Sequence, residues 1–118
     1  MPTSPLAVVQ AQLDAYNAKD LDALMATYAP NAQQFTLHGA LLAEGHEQIR
    51  PRYEARFIEP DLQARLLSRT VMGNIVTDLE IVTRNFPEGK GTVEMLCVYE
   101  VIDGCIARAS FASGETRL

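Results

Sequence analysis

Two residues in this chain are candidates for acid–base work: His38, and Glu80 if its strand turns it inward rather than toward solvent. His38 stands before the closing glycine of the segment "QQFTLHG", and an imidazole titrates near neutrality. Glu80 lies in "IVTDLEIVTRNF" among aliphatic neighbours. A carboxylate enclosed by apolar groups has a raised pKa and becomes a competent base. Tyr16 offers a hydroxyl donor from within an apolar stripe, where a tyrosine otherwise serves as core. His46 follows Gly45 at a helix start and reads as a surface residue. Cys97 and Cys105 belong to no CxxC pattern, and His38 and His46 to no HxxxH pattern, so no metal-ligand spacing is present. A reactive Cys97 would need a cation beside it. None is evident, and both cysteines read as reduced packing residues. No metal or cofactor is expected.

Charge and composition narrow the partners. The net charge is −5, and the ten basic residues are scattered except for Arg50, Arg52 and Arg56. Nucleic acid is therefore not an expected partner, since phosphate backbones need clustered Lys and Arg. With 47% hydrophobic residues in 118, the chain can bury one core without staples, as a single domain over residues 1–118. No apolar run approaches the ~20 residues of a membrane helix, and "MPTSPLAVVQ" lacks a basic leader. The expectation is a cytoplasmic protein with no membrane partner.

The elements that must position these residues follow from periodicity. Ser4 and Pro5 make a helix start, and Leu6, Val9, Leu13 and Tyr16 form one helical face. Asn17 to Lys19 breaks it. Asp20 caps a second helix with Leu21, Leu24, Met25 and Tyr28 as its stripe, ended by Pro30. In "QQFTLHG", Phe35 and Leu37 alternate with Gln34, Thr36 and His38, predicting a short strand that turns at Gly39. Residues 46 to 58 predict a third helix with Ile49, Tyr53 and Phe57 on one face, kinked or started late by Pro51. Its charges, including Arg52 and Arg56, suit a solvated face; alternatively Arg52 reaches over a pocket toward an anionic ligand. From residue 62 the period is two, and "LQARLLSRTV", "IVTDLEIVTRNF", "GTVEMLCVYEV" and "CIARASFA" read as four strands. Helices followed by an antiparallel meander give an α+β fold, with helices packed on one face of a curved, mainly antiparallel sheet.

The last hairpin can be given a register. A three-residue turn, Ile102-Asp103-Gly104, sets Tyr99 opposite Ala107 and Cys97 opposite Ala109, and gathers an unbroken apolar face. A two-residue turn sets Tyr99 opposite Arg108 and spoils that face. The three-residue turn is preferred. It separates Cys97 from the partner of Cys105 by about 13 Å, beyond the ~7 Å limit for a disulfide. The other face, with Leu96, Val98, Ile106 and Arg108, mixes apolar and charged residues and suits a homodimer contact. Strand 75–86 is ambiguous in parity: apolar burial alone turns Leu79 and Ile81 toward the helices, and the other choice turns Asp78 and Glu80.

"AYNAKDLDALMATYAPNA", "EGHEQIRPRYEARF" and "YEVIDGCIARASF", in this order and over nearly the whole chain, resemble the nuclear transport factor 2-like superfamily. That α+β cone is shared by SnoaL-like polyketide cyclases and steroid delta-isomerases. The resemblance implies inward-facing Asp78 and Glu80. It aims Gln12, Tyr16, Thr36, His38, Tyr53, Cys97 and Tyr99 at a cavity for a small apolar molecule. Strand parity independently puts Cys97 and Tyr99 on one face. The resemblance also sets the isomerase donor tyrosine at Gln12, its base at Thr36 and its protonated acid at Cys97. None of the three residue types is kept, so the usual isomerase reaction is not expected. Two readings follow. One is a cofactor-independent isomerase or cyclase acting on an apolar carbonyl compound, with His38 or Glu80 as base and Tyr16 or Tyr53 as donor. The alternative is a non-catalytic dimeric domain that binds a hydrophobic ligand. A third, weaker reading is a pure interaction scaffold on the outer sheet face.

Overall fold

A computed structural model describes residues 4–118. Within them, helix α1 (Pro5–Ala18) starts where Ser4 accepts a hydrogen bond from the Ala7 amide at 3.2 Å. It ends at Lys19, whose left-handed backbone (φ 55°) lets its amide reach the carbonyls of Ala15 and Tyr16. Asp20 then accepts from the Ala23 amide at 3.1 Å and opens α2 (Leu21–Ala26). Both caps satisfy backbone donors that a helix start leaves unpaired.

The second helix is shorter than the sequence suggests. It stops at Ala26, and Thr27 donates its hydroxyl to the Leu24 carbonyl. Tyr28 belongs to strand β1 (Tyr28–Thr36), not to the helix, and Pro30 lies inside that strand. Proline is tolerated there because the ladder is interrupted: Tyr28 pairs with Ile106, and pairing resumes only at Gln33 with Arg108. No partner needs the missing amide hydrogen. A turn leads to β2 (Leu41–Glu44), a strand the sequence reading lacks, and then to α3 (Gly45–Arg56). The third helix continues through Pro51 and closes two residues early, leaving Ile58 exposed.

The meander follows as β3 (Gln63–Met72), β4 (Ile75–Phe86), β5 (Gly89–Ile102) and β6 (Cys105–Arg117). The six strands order as β2-β1-β6-β5-β4-β3, with β1 and β6 parallel and all other pairs antiparallel. The ladders shift register at Gln34/Phe35, Leu66/Ser68 and Val93/Met95, the kind of interruption that lets a strand bend. The result is the α+β cone.

The β5–β6 turn corrects the expected register. Asp103 (φ 51°) and Gly104 (φ 78°) both occupy the left-handed region, and Ile102 pairs with Cys105. This is a two-residue turn of the kind whose twist suits a hairpin. The ladder then shifts: Val101 pairs with Ile106, Glu100 with Arg108, and Ala107 is left over. That bulge restores the parity the turn alone would lose. Tyr99 now opposes Ala109, and Cys97 opposes Phe111. The apolar face survives by a different route, and Ile106 is buried inside it rather than facing outward.

Candidate functional site

The parity of β4 makes the site, and it is the reverse of what apolar burial alone predicts, because Arg69 pairs the inward Asp78. Val76, Asp78, Glu80 and Val82 turn toward the helices, while Leu79 and Ile81 stay half-buried on the opposite face. The outward aliphatics join a cross-strand row, Ser68–Leu79–Leu96–Ala112. A cavity of about 400 Å³ lies between the inner face and the helices, within the usual size range of small-molecule sites. Leu13, Val82, Val93, Met95 and Phe111 give it apolar walls. Gln12 and Tyr16 enter from α1, Tyr53 from α3, Glu80 from β4, and Cys97 and Tyr99 from β5.

Every residue predicted for the site lines this cavity except His38. His38 stands exposed in the turn after β1, with a left-handed backbone (φ 58°). Thr36, at the end of that strand, is the last residue of the segment to reach the cavity. The other histidine is structural: His46 Nε2 lies 2.9 Å from the Tyr28 carbonyl oxygen and ties α3 to β1.

Glu80 is 6% exposed. Burial pushes its carboxyl up to about 7, and the negative charge of Asp78 adds to the rise; a contact from Cys97 and the charge of Arg69 oppose it. The Cys97 thiol approaches Glu80 Oε1 at 3.8 Å. Burial also drives the Cys97 thiol and the Tyr99 hydroxyl well above their ordinary ranges, so both stay protonated. Tyr99 donates to Gln12 Oε1 at 3.4 Å, a long bond. Burial lifts Tyr16 to about 12 against the pull of Arg56 and Arg84. A near-neutral carboxyl and several neutral hydroxyls therefore share one largely apolar chamber. Such a set can accept a proton from carbon and stabilise the oxyanion that forms.

Three supports behind the wall escaped the sequence reading. Asp78, wholly buried, receives a two-point contact from Arg69, Nε to Oδ1 at 2.7 Å and Nη2 to Oδ2 at 2.9 Å. Arg69 Nη1 also donates to Gln10 Oε1 at 2.7 Å, fixing β3 and β4 to α1. Gln34, also wholly buried, donates to the hydroxyls of Tyr28 at 3.2 Å and Tyr53 at 3.0 Å and so holds Tyr53 in place. Glu59 takes Arg84 by both oxygens. Arg69 opposite Asp78 is a direct cross-strand pair, a signal readable only once register is known.

Among the described residues, no group of three or more His, Cys, Asp and Glu side chains is arranged to hold a metal ion. No helix among them is long and apolar enough to cross a membrane.

Comparison with known proteins agrees with this architecture. No curated protein matches the chain. Among solved structures, an uncharacterized cystatin-fold protein from Novosphingobium aromaticivorans superposes with a TM-score of 0.85 at 26% identity, over 93% of this chain and 98% of that one. A candidate polyketide cyclase from Sinorhizobium meliloti gives 0.71 at 28% identity, over 89% and 93%. A protein of ketosteroid isomerase-like fold from Catenulispora acidiphila, solved in complex with trimethylamine, gives 0.77 at 18% identity, over 93% and 86%, which speaks to the fold alone. The profile of the SnoaL-like domain matches residues 9–109. With that match spanning most of the chain, and the cone and its cavity in place, the protein belongs to the SnoaL-like domain family.

Proposed function

We propose that this protein binds an apolar carbonyl compound and moves a proton on it without a cofactor, as an isomerase or cyclase would. Glu80 is the base. It takes a proton from the carbon beside the carbonyl, the electron pair moves onto the carbonyl oxygen, and that oxygen accepts a hydrogen bond from Tyr99, whose long bond to Gln12 it displaces; Tyr16, which stands beside Arg56, contributes to the wall. Where a carbon–carbon double bond is conjugated with the enolate, return of the proton from Glu80 to its far carbon shifts the double bond and completes an isomerisation; alternatively the enolate carbon attacks a second carbonyl, closes a ring, and the alkoxide so formed takes the proton back from Glu80. Gln12, Thr36, Tyr53 and Cys97 shape and bind. The observation that carries the reading is a carboxyl almost wholly buried in the wall of a largely apolar cavity, where burial raises its pKa.

The test uses 2-tetralone in deuterium oxide, with exchange of its acidic C–H protons followed by proton NMR. The wild-type protein is expected to accelerate exchange, more so as pH rises through about 7. Glu80→Gln should lose roughly 100-fold or more of that acceleration, while His38→Ala keeps it. Equal exchange by the wild type and Glu80→Gln refutes the mechanism.

A second reading is favoured by one feature: Gln12, Thr36 and Cys97 line the cavity, and these are the positions to which the resemblance assigns an isomerase's acid–base set. On that reading the domain is a non-catalytic hydrophobic-ligand binder. Native mass spectrometry of protein from its own host would then find a retained, unconverted ligand. In either reading we propose a homodimer through the outer sheet face, where Leu79, Leu96 and Ala112 form an apolar row.

A further inference from the structure

Positive charge is gathered at one end of the cavity in a protein whose net charge is −5. Arg52 and Arg56 on α3 and Arg84 on β4 all line it. Their counter-charge is short. Glu59 is committed to Arg84, with Nε to Oε1 and Nη2 to Oε2 both at 2.8 Å, and Glu59 Oε1 also accepts from the Asn85 amide at 2.8 Å. Arg56 reaches only the margin of that carboxylate, at 3.6 Å. Among the described residues Arg52 has no salt-bridge partner, whereas Arg50, outside the cavity, is paired with Asp22 at 2.7 Å and Glu54 at 3.6 Å. Three guanidinium groups thus face one carboxylate. Arg52 and Arg56 are also four residues apart on one helix, a like-charge spacing that costs stability. Arg52 is exposed and Arg56 half-buried while both line the cavity, so the pair stands at its mouth.

The opposite end holds Glu80. On β4, Glu80 and Arg84 share the inner face four residues apart, which is about 13 Å along a strand. Val82 lies between them, and Val93 lies beside it on the neighbouring strand. The cavity therefore has a proton-transfer end, an apolar middle and a cationic end. The guanidinium fork matches a carboxylate in shape and charge, and low-dielectric walls focus the field of such a cluster.

We propose that the ligand is an amphipathic organic acid, its apolar body in the middle of the cavity and its carboxylate held by Arg52 and Arg56. This rests on the small-molecule reading above and adds an acid group to the otherwise apolar carbonyl compound named there. The reacting carbon is then at the far end from the acid group, beside Glu80.

The test compares 2-naphthoate with 2-naphthamide, which share a ring system and differ in charge. The chain has no Trp, so naphthyl fluorescence can be followed by exciting to the red of tyrosine absorption. At pH 7 and low salt, naphthoate is expected to bind at least tenfold more tightly than the amide. Arg52→Gln/Arg56→Gln should remove that preference while leaving amide affinity within twofold. Raising sodium chloride tenfold should weaken naphthoate alone. Equal affinity for the two probes overturns the carboxylate subsite and leaves the cavity reading standing. A preference that survives in the double variant overturns the assignment to these arginines. Saturable binding of neither probe overturns the subsite and the small-molecule reading together.

Discussion

Replacing Glu80 by glutamine should make the protein more stable at pH 8 and leave its stability at pH 4 unchanged. In the unfolded chain Glu80 ionises near 4.5; in the folded chain burial and the Asp78 charge hold it protonated up to about 7. Between those values the folded state binds more protons than the unfolded state, so stability falls as pH rises. This contribution is fully present below about 4.5 and is lost by the time pH has passed about 7. At about 1.4 kcal/mol per pH unit, the gap amounts to ~3 kcal/mol. Glu80 is almost wholly buried, so solvent screening removes little of it. Glutamine keeps the shape of the neutral acid and has no such titration. The difference between variant and wild type should therefore grow from near zero at pH 4 to ~3 kcal/mol above pH 8, or roughly 10 °C in Tm. Urea unfolding followed by circular dichroism across this range measures it, at one protein concentration because association shifts apparent stability. Parallel pH profiles for the two proteins, or a Gln variant less stable at pH 8, would refute the burial argument. Combined with lost proton exchange, a stabilised Glu80→Gln would show a catalytic group kept at the expense of the fold.

Three further predictions concern the supports and surfaces. Arg69→Met strands Asp78 as a buried unpaired charge and should cost ~3–5 kcal/mol in urea unfolding at pH 7, with much of it recovered in Arg69→Met/Asp78→Leu; equal stability of wild type and single variant would show the pair to be idle. Both cysteines are free, one buried and one half-buried. With its thiol raised by burial, Cys97 should resist a thiol-specific dye at pH 7.5 while Cys105 reacts; two rapid equivalents in the native state would contradict this. Leu96→Glu/Val98→Lys on the outer face should convert a dimer to a monomer in light scattering with its circular dichroism retained. A monomeric wild type would dismiss the dimer proposal.

Helix starts were legible from single residues, because an N-cap acts locally: Ser4 and Asp20 mark α1 and α2 without reference to the rest of the chain. The four-strand meander was legible from its alternation, and the inward parity of Cys97 and Tyr99 came with it. Tyr28 and Pro30 misled because their spacing continues a helical stripe and a proline is an ordinary helix stop. What makes them a strand is the Ile106 amide, which donates to the Thr27 carbonyl from some 80 residues away in sequence. The final hairpin misled for a related reason. The expected turn preserved the apolar face, and so did a tighter turn with Ala107 as a bulge. Composition does not distinguish them.

The sequence by itself determined that an amphipathic set of helices would cover an alternating sheet, since burial of apolar area is nearly independent of detail. Tertiary structure decided which face of β4 looks inward. Both faces of that strand carry aliphatic residues, so alternation sets the period and leaves the sign open. The sign came from distant partners. Arg69 and Gln10 make a buried Asp78 tolerable, and Leu96 gives the outward Leu79 an apolar neighbour. With that choice Glu80 enters the cavity. His38 stays outside it because β1 ends at Thr36 and the chain turns before the histidine can follow.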